Sequence, residues 1–125
     1  MLCMESKRQY VDKPSRDIGL PREVYYRCIW TVRDMERMSR LVSAASSSDA
    51  TGMEDMIIDR DAVMSSAGIL KCIYQSIESV PEVYRLGIMD NIINRKPFGD
   101  IAHPNTWKRW KKVFLCELAR HLHMI

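Results

Sequence analysis

Apolar residues along this chain recur at helical spacing. Val24, Cys28, Val32, Met35, Met38 and Val42 follow one another at four, four, three, three and four positions, which is one buried stripe of a helix. Pro21-Arg22-Glu23 supplies an entry, a proline and an early acid in the first turn. Nothing interrupts the pattern before the small polar run Ser43 to Ser48. The spacing therefore predicts one continuous helix over 21–45, roughly 37 Å long at 1.5 Å per residue. Ser46 to Thr51, followed by Gly52, has the composition of a loop. Val63, Ala67, Leu70, Ile73 or Tyr74, and Ile77 then form a near-heptad seam and predict a second helix over 59–79. Gly68 inside it is expected to mark close helix packing. Pro81-Glu82 repeats the proline-then-acid entry and opens a third helix, 81–95. Its core row is Tyr84, Ile88 and Ile92, with Val83, Leu86, Met89 and Ile93 beside it, and Pro97 ends it. After a short connector, Phe98 to Ala102, a fourth helix is expected over 104–122.

No strand-like alternation runs longer than four residues. The expected fold class is all-α: a helical bundle with a long antiparallel helical hairpin, made by the first two helices, and a C-terminal helix-turn-helix-like pair. Residues 1–20 mix Lys7, Arg8, Lys13 and Arg16 with Pro14, Ser15 and Gly19 and show no period, so they read as an extended arm. Residues 21–125 read as a single helical domain, of which 81–125 is the helix-turn-helix-like part.

Composition narrows the class. A chain of 125 residues that is 46% hydrophobic and 28% charged can bury a core without staples and is not disordered. No apolar run approaches the roughly 20 residues that cross a bilayer. The segment from Met1 to Tyr10 lacks the apolar core of a secretory signal, so a cytoplasmic protein without membrane contact is expected. Cys3, Cys28, Cys72 and Cys116 stand 25, 44 and 44 residues apart, a spacing without metal-site character, and read as reduced thiols. There is no glycine-rich phosphate loop and no nucleophile–base pair at recognisable spacing. Asp55, Asp59 and Asp61 lack the spacing and glycine of a calcium loop. No enzyme, cofactor or metal is expected.

Charge brings the C-terminal part forward. Residues 1–80 hold 11 Lys/Arg against 12 Asp/Glu, whereas residues 81–125 hold 8 against 4, and all three histidines besides. In the fourth helix Trp107, Trp110, Phe114 and Leu118 make an apolar stripe at spacings of three, four and four. Lys108, Arg109, Lys111 and Lys112 fall on the faces turned away from it. A helix anchored by tryptophans and coated with cations suits nucleic-acid phosphates; it also suits a solvated basic face on a core helix.

A family resemblance bears on that choice. Lys13-Pro14-Ser15-Arg16-Asp17-Ile18-Gly19-Leu20-Pro21, then Val24-Tyr25-Tyr26, Ile29-Trp30 and Val32-Arg33-Asp34, resemble the start of small phage-encoded regulators of the RinA/ArpU type. Pro81-Glu82-Val83-Tyr84-Arg85, Asp90-Asn91-Ile92-Ile93, Lys96-Pro97-Phe98 and the run from His103 to Lys111 resemble them as well. The last two helices are also similar in outline to the final region of bacterial sigma factors, although the connector between them is compressed. Residues 39–79 match only in helical pattern. The resemblance implies a transcriptional regulator, typically an activator of late phage or prophage genes in a bacterial cell, with a sigma-like DNA-reading end and no catalytic residues.

In helix-turn-helix docking the first residues of the recognition helix reach base edges. That assigns Asn105, Lys108 and Arg109 to bases, Arg109 foremost because its fork can pair with guanine. Thr106, Lys111 and Lys112 are assigned to phosphates, with Arg95 and Lys96 at the preceding helix end. The partner is then duplex DNA, and the long hairpin is expected to serve as a homodimer seam. The rival reading is a helical protein-interaction module that binds RNA polymerase or another host protein, with Tyr25, Tyr26 and Trp30 as a partner surface.

Overall fold

The computed structural model describes residues 19–51 and 60–125, the side chains of 46–51 excepted. It is all-helical among those residues. The helices are α1 (Arg22–Arg33), α2 (Met35–Thr51), α3 (Arg60–Ile77), α4 (Glu82–Asn94) and α5 (Pro104–His121). The arm before Gly19 and the acids Glu54, Asp55 and Asp59 lie outside the described residues.

The predicted single helix over 21–45 is two helices. They meet at Asp34 (φ −86°, ψ 1°), whose N–H donates to the carbonyls of both Trp30 (3.1 Å) and Thr31 (3.2 Å). Arg37 grips the Asp34 carboxylate at 2.6–2.7 Å. Next door, Arg33 Nε donates across the bundle to the carbonyl of Ile92 at 2.7 Å. The break sends the two halves to different partners: α1 packs on α4 and α5, while α2 packs along α3, which in turn lies on α5. The hairpin is therefore built from α2 and α3, and α1 belongs to the other half of the bundle. The expected loop at Ser46–Thr51 is also corrected, because α2 continues to Thr51. Alanine at positions 44, 45 and 50 favours helix, and each serine costs only a few tenths of a kcal/mol.

The core gathers Ile29 and Val32 from α1, Ile73 from α3, Ile88 and Ile92 from α4, and Phe114, Leu115 and Leu118 from α5. On α3 the buried row is Ser66, Leu70, Ile73 and Ser76, while Ala67 and Tyr74 of the predicted seam face solvent. Ser76 is kept satisfied at this depth by donating to the carbonyl of Cys72 at 2.7 Å and lying 2.9 Å from His121 Nδ1. Gly68 is exposed, with nothing within 4 Å of a Cβ placed there. Close packing at a glycine occurs on α4 instead, where a Cβ on Gly87 would sit 2.6 Å from the Trp107 ring.

Candidate nucleic-acid interface

The entry of α5 is held by local chemistry. Pro104 occupies its first turn, and His103 caps it, Nδ1 accepting from the N–H of Asn105 at 3.0 Å. No acid stands in that first turn, so the positive end of the helix dipole is uncompensated there. The first acid along α5 is Glu117, which is paired with Arg120 one turn later.

An aromatic cluster fixes how this entry sits on α4 and the connector, residues 95–103. Trp107 is buried and stacks on Phe98 (5.4 Å between centroids, 7° between planes). Its Nε1–H donates to the carbonyl of Gly99 at 3.1 Å. Tyr84 meets Trp107 edge-on at 5.1 Å and stacks on the half-buried Trp110 at 6.3 Å. Gly87 lets the indole approach the α4 backbone. The connector leaves α4 through Arg95 in the left-handed region (φ 55°).

Lys111 departs from the expectation. It was assigned to the outer face as a phosphate contact, yet it is only 4% exposed. Its Nζ donates to Asn91 Oδ1 at 2.8 Å, and Asn91 Nδ2 donates to the carbonyl of Lys96 at 2.7 Å. The Phe98 ring lies 5.8 Å from the ammonium. The reason is helical phase: Lys111 is four residues from Trp107 and three from Phe114, so it falls inside the buried row. A buried cation needs hydrogen-bonding partners, and Asn91 is one. Lys111 thus ties α5, α4 and the connector together rather than facing solvent.

The other assigned residues divide by place. Asn105, Lys108 and Arg109 are exposed, while Thr106 and Lys112 are half-buried. Asn105, Arg109 and Lys112, at steps of four and three, line one outer edge of α5. The stem of Lys112 approaches the start of the chain's described part, its Cε lying 3.6 Å from where a Cβ on Gly19 would be. Arg95, half-buried, and Lys96, exposed, belong to the connector and not to α5. The connector's nine residues contain no helical turn, against the three or four residues of a compact helix-turn-helix. The sequence reading missed Asn91 and Gly87, which hold the entry in place. A glycine one turn below the Tyr84–Ile88 row was the available signal for the second; for Asn91 there was none.

Elsewhere, Trp30 is 57% exposed and packs under the Arg33 guanidinium at 4.9 Å. It borders a shallow groove of about 580 Å³ with Tyr26, Ile69, Leu122 and Met124. Tyr25 of the proposed partner surface is buried instead. Among the described residues no group of three His, Cys, Asp or Glu side chains could hold a metal ion, and no helix is long and apolar enough to cross a membrane. Comparisons with family models, curated proteins and solved structures match nothing to this chain.

Proposed function

We propose that this chain is a transcriptional regulator that holds duplex DNA against the first turns of α5, as its resemblance to phage regulators of the RinA/ArpU type implies. One observation carries the reading: Asn105, Lys108 and Arg109 stand exposed at an acid-free helix start whose opposite face is locked into the core. Such an entry presents donors and positive potential together, which is what phosphates and guanine edges require. Asn105, Lys108 and Arg109 then reach bases, and Thr106 and Lys112 contact phosphates. Lys111 is withdrawn from the set. Activation of late phage or prophage genes in a bacterial host is the regulatory role that the resemblance supplies.

The test begins with selection of bound sequences from a random duplex pool, followed by fluorescence anisotropy on the best site. The Lys108→Ala/Arg109→Ala/Lys112→Ala triple variant should stay folded by circular dichroism and lose at least about tenfold in affinity at about 0.15 M salt, since it removes three cations that compete with counterions. Undiminished binding would end the recognition-helix assignment. A protein-interaction module that engages RNA polymerase or another host protein is favoured by the exposed Trp30 at its groove. That reading predicts capture of polymerase by the parent, undisturbed by the triple variant and without DNA selection.

A further inference from the structure

Helix α4 is apolar on two opposite sides. One side, with Ile88 and Ile92, lies in the core. On the other, Val83 is 69% exposed, Leu86 75%, and Ile93 is exposed as well. At 3.6 residues per turn these three fall within about 80° of one another and extend roughly 15 Å along the helix. Scattered surface hydrophobes need no explanation. A continuous row on the outside of a 13-residue helix does, because a helix that is apolar all round is normally covered all round.

We propose that this row is the seam of a homodimer, in which α4 packs antiparallel on α4 of a second copy. The charges at the two ends of the row choose the occupant. Glu82, at the start of α4, and Lys96, just beyond its end, are both exposed. A two-fold arrangement brings the acidic end of each copy to the basic end of the other and sets the helix dipoles in opposition. With Leu86 seated against Ile93 of the second copy, Val83 meets the aliphatic stem of its Lys96, and Glu82 comes within reach of its ammonium. A uniformly acidic or basic partner would match one end of the row and be repelled at the other. Asp90 borders the row near the two-fold axis with its Oδ1 already bonded to Asn94 Nδ2 at 2.9 Å, which turns its charge towards its own helix. The break at Asp34 removes the long α1–α2 seam that the sequence suggested for self-association, and the α4 row takes its place. This inference stands on α4 alone and requires no DNA.

Sedimentation of the full chain without DNA, from about 1 to about 300 µM, tests it. The parent should shift from monomer to dimer across that range. Leu86→Glu, at so exposed a position, should keep its helical circular-dichroism signal and weaken association at least about tenfold. Glu82→Lys and Lys96→Glu should each weaken it, and the combined Glu82→Lys/Lys96→Glu variant should return to within about threefold of the parent. If Leu86→Glu loses its helical signal, the charge exchange decides alone. A parent that stays monomeric throughout overturns the proposal, as does a folded Leu86→Glu that dimerises like the parent. So does a combined variant no tighter than its single components.

Discussion

Lys111 and Arg109 are two residues apart on α5 and have opposite surroundings. Lys111 donates to Asn91 inside the protein, whereas Arg109 ends in solvent. Truncating the first leaves Asn91 Oδ1 short of a donor and opens space beside Phe98; truncating the second removes only an exposed side chain. Lys111→Ala should therefore cost about 2–4 kcal/mol of stability. Arg109→Ala should stay within about 0.5 kcal/mol of the parent and lose about 1–3 kcal/mol of binding on its best DNA site. Chemical denaturation and anisotropy on the same variants separate the two, and a Lys111→Ala protein of unchanged stability would return that lysine to the outer face. The sequence could not distinguish these cations. Following the aromatic residues sets the stripe on Trp107, Trp110, Phe114 and Leu118, and only a partner twenty positions away shows that Lys111 shares it. Cys28 was legible as a core thiol. Burial pushes its pKa up to about 11, Cys116 nearby adding to the shift and Arg27 opposing it. A thiol that ionises less readily in the folded state contributes stability that is fully present below about pH 9 and is lost as pH rises towards about 11. Cys28→Ala should flatten that part of the stability–pH curve relative to the parent, measured by denaturation at each pH.

At the scale of elements, starts were easier to read than interruptions. Pro21-Arg22-Glu23, Pro81-Glu82 and Pro104 each mark a helix entrance, and α1, α4 and α5 begin within one residue of them. The break at Asp34 left no such mark, since the apolar period passes through it unbroken and no glycine or proline is present. What bends the chain there is tertiary: Arg33 reaches the end of α4, and α1 and α2 find different partners. The two helical glycines show the same division. Gly68, in the seam the pattern suggested, is exposed and touches nothing; Gly87, unremarked by the pattern, lies under the Trp107 ring. Gly68→Ala should stabilise the protein by about 0.5–1 kcal/mol, because it restricts the unfolded chain and raises helix propensity without a clash. Gly87→Ala should destabilise it by about 1–3 kcal/mol, since the indole is held by Phe98 and Tyr84 and cannot simply swing away. Thermal melts of the two variants should move in opposite directions. Melts that move together would mean that Trp107 is not packed on α4 as described.

Across the whole molecule, the formal net charge of +3 conceals an uneven distribution, with 8 Lys/Arg against 4 Asp/Glu after residue 80. That asymmetry was plain from the sequence, but how many of the eight cations could face a ligand was not. Lys111 is buried, Arg85 is committed to the carbonyls of Val80 and Glu78, and Arg120 is paired with Glu117. Lys96 stands at the proposed dimer seam. The DNA-facing set on α5 then reduces to Lys108, Arg109 and Lys112, a number that salt dependence can read directly. Each neutralised phosphate contributes about 0.9 to the slope of log affinity against log salt, so one copy on one site should give a slope near −2.7 and a two-fold pair on two half-sites about twice that. Leu86→Glu should halve the slope on a paired site while leaving the slope on a single site unchanged. The cations ahead of Gly19, Lys7, Arg8, Lys13 and Arg16, provide the internal control. A chain shortened to begin at Gly19 should keep the same slope if α5 carries the electrostatic contact by itself. A slope that falls by about 2–3 on shortening would instead assign much of the phosphate binding to that arm. It would leave α5 with base reading as its main task.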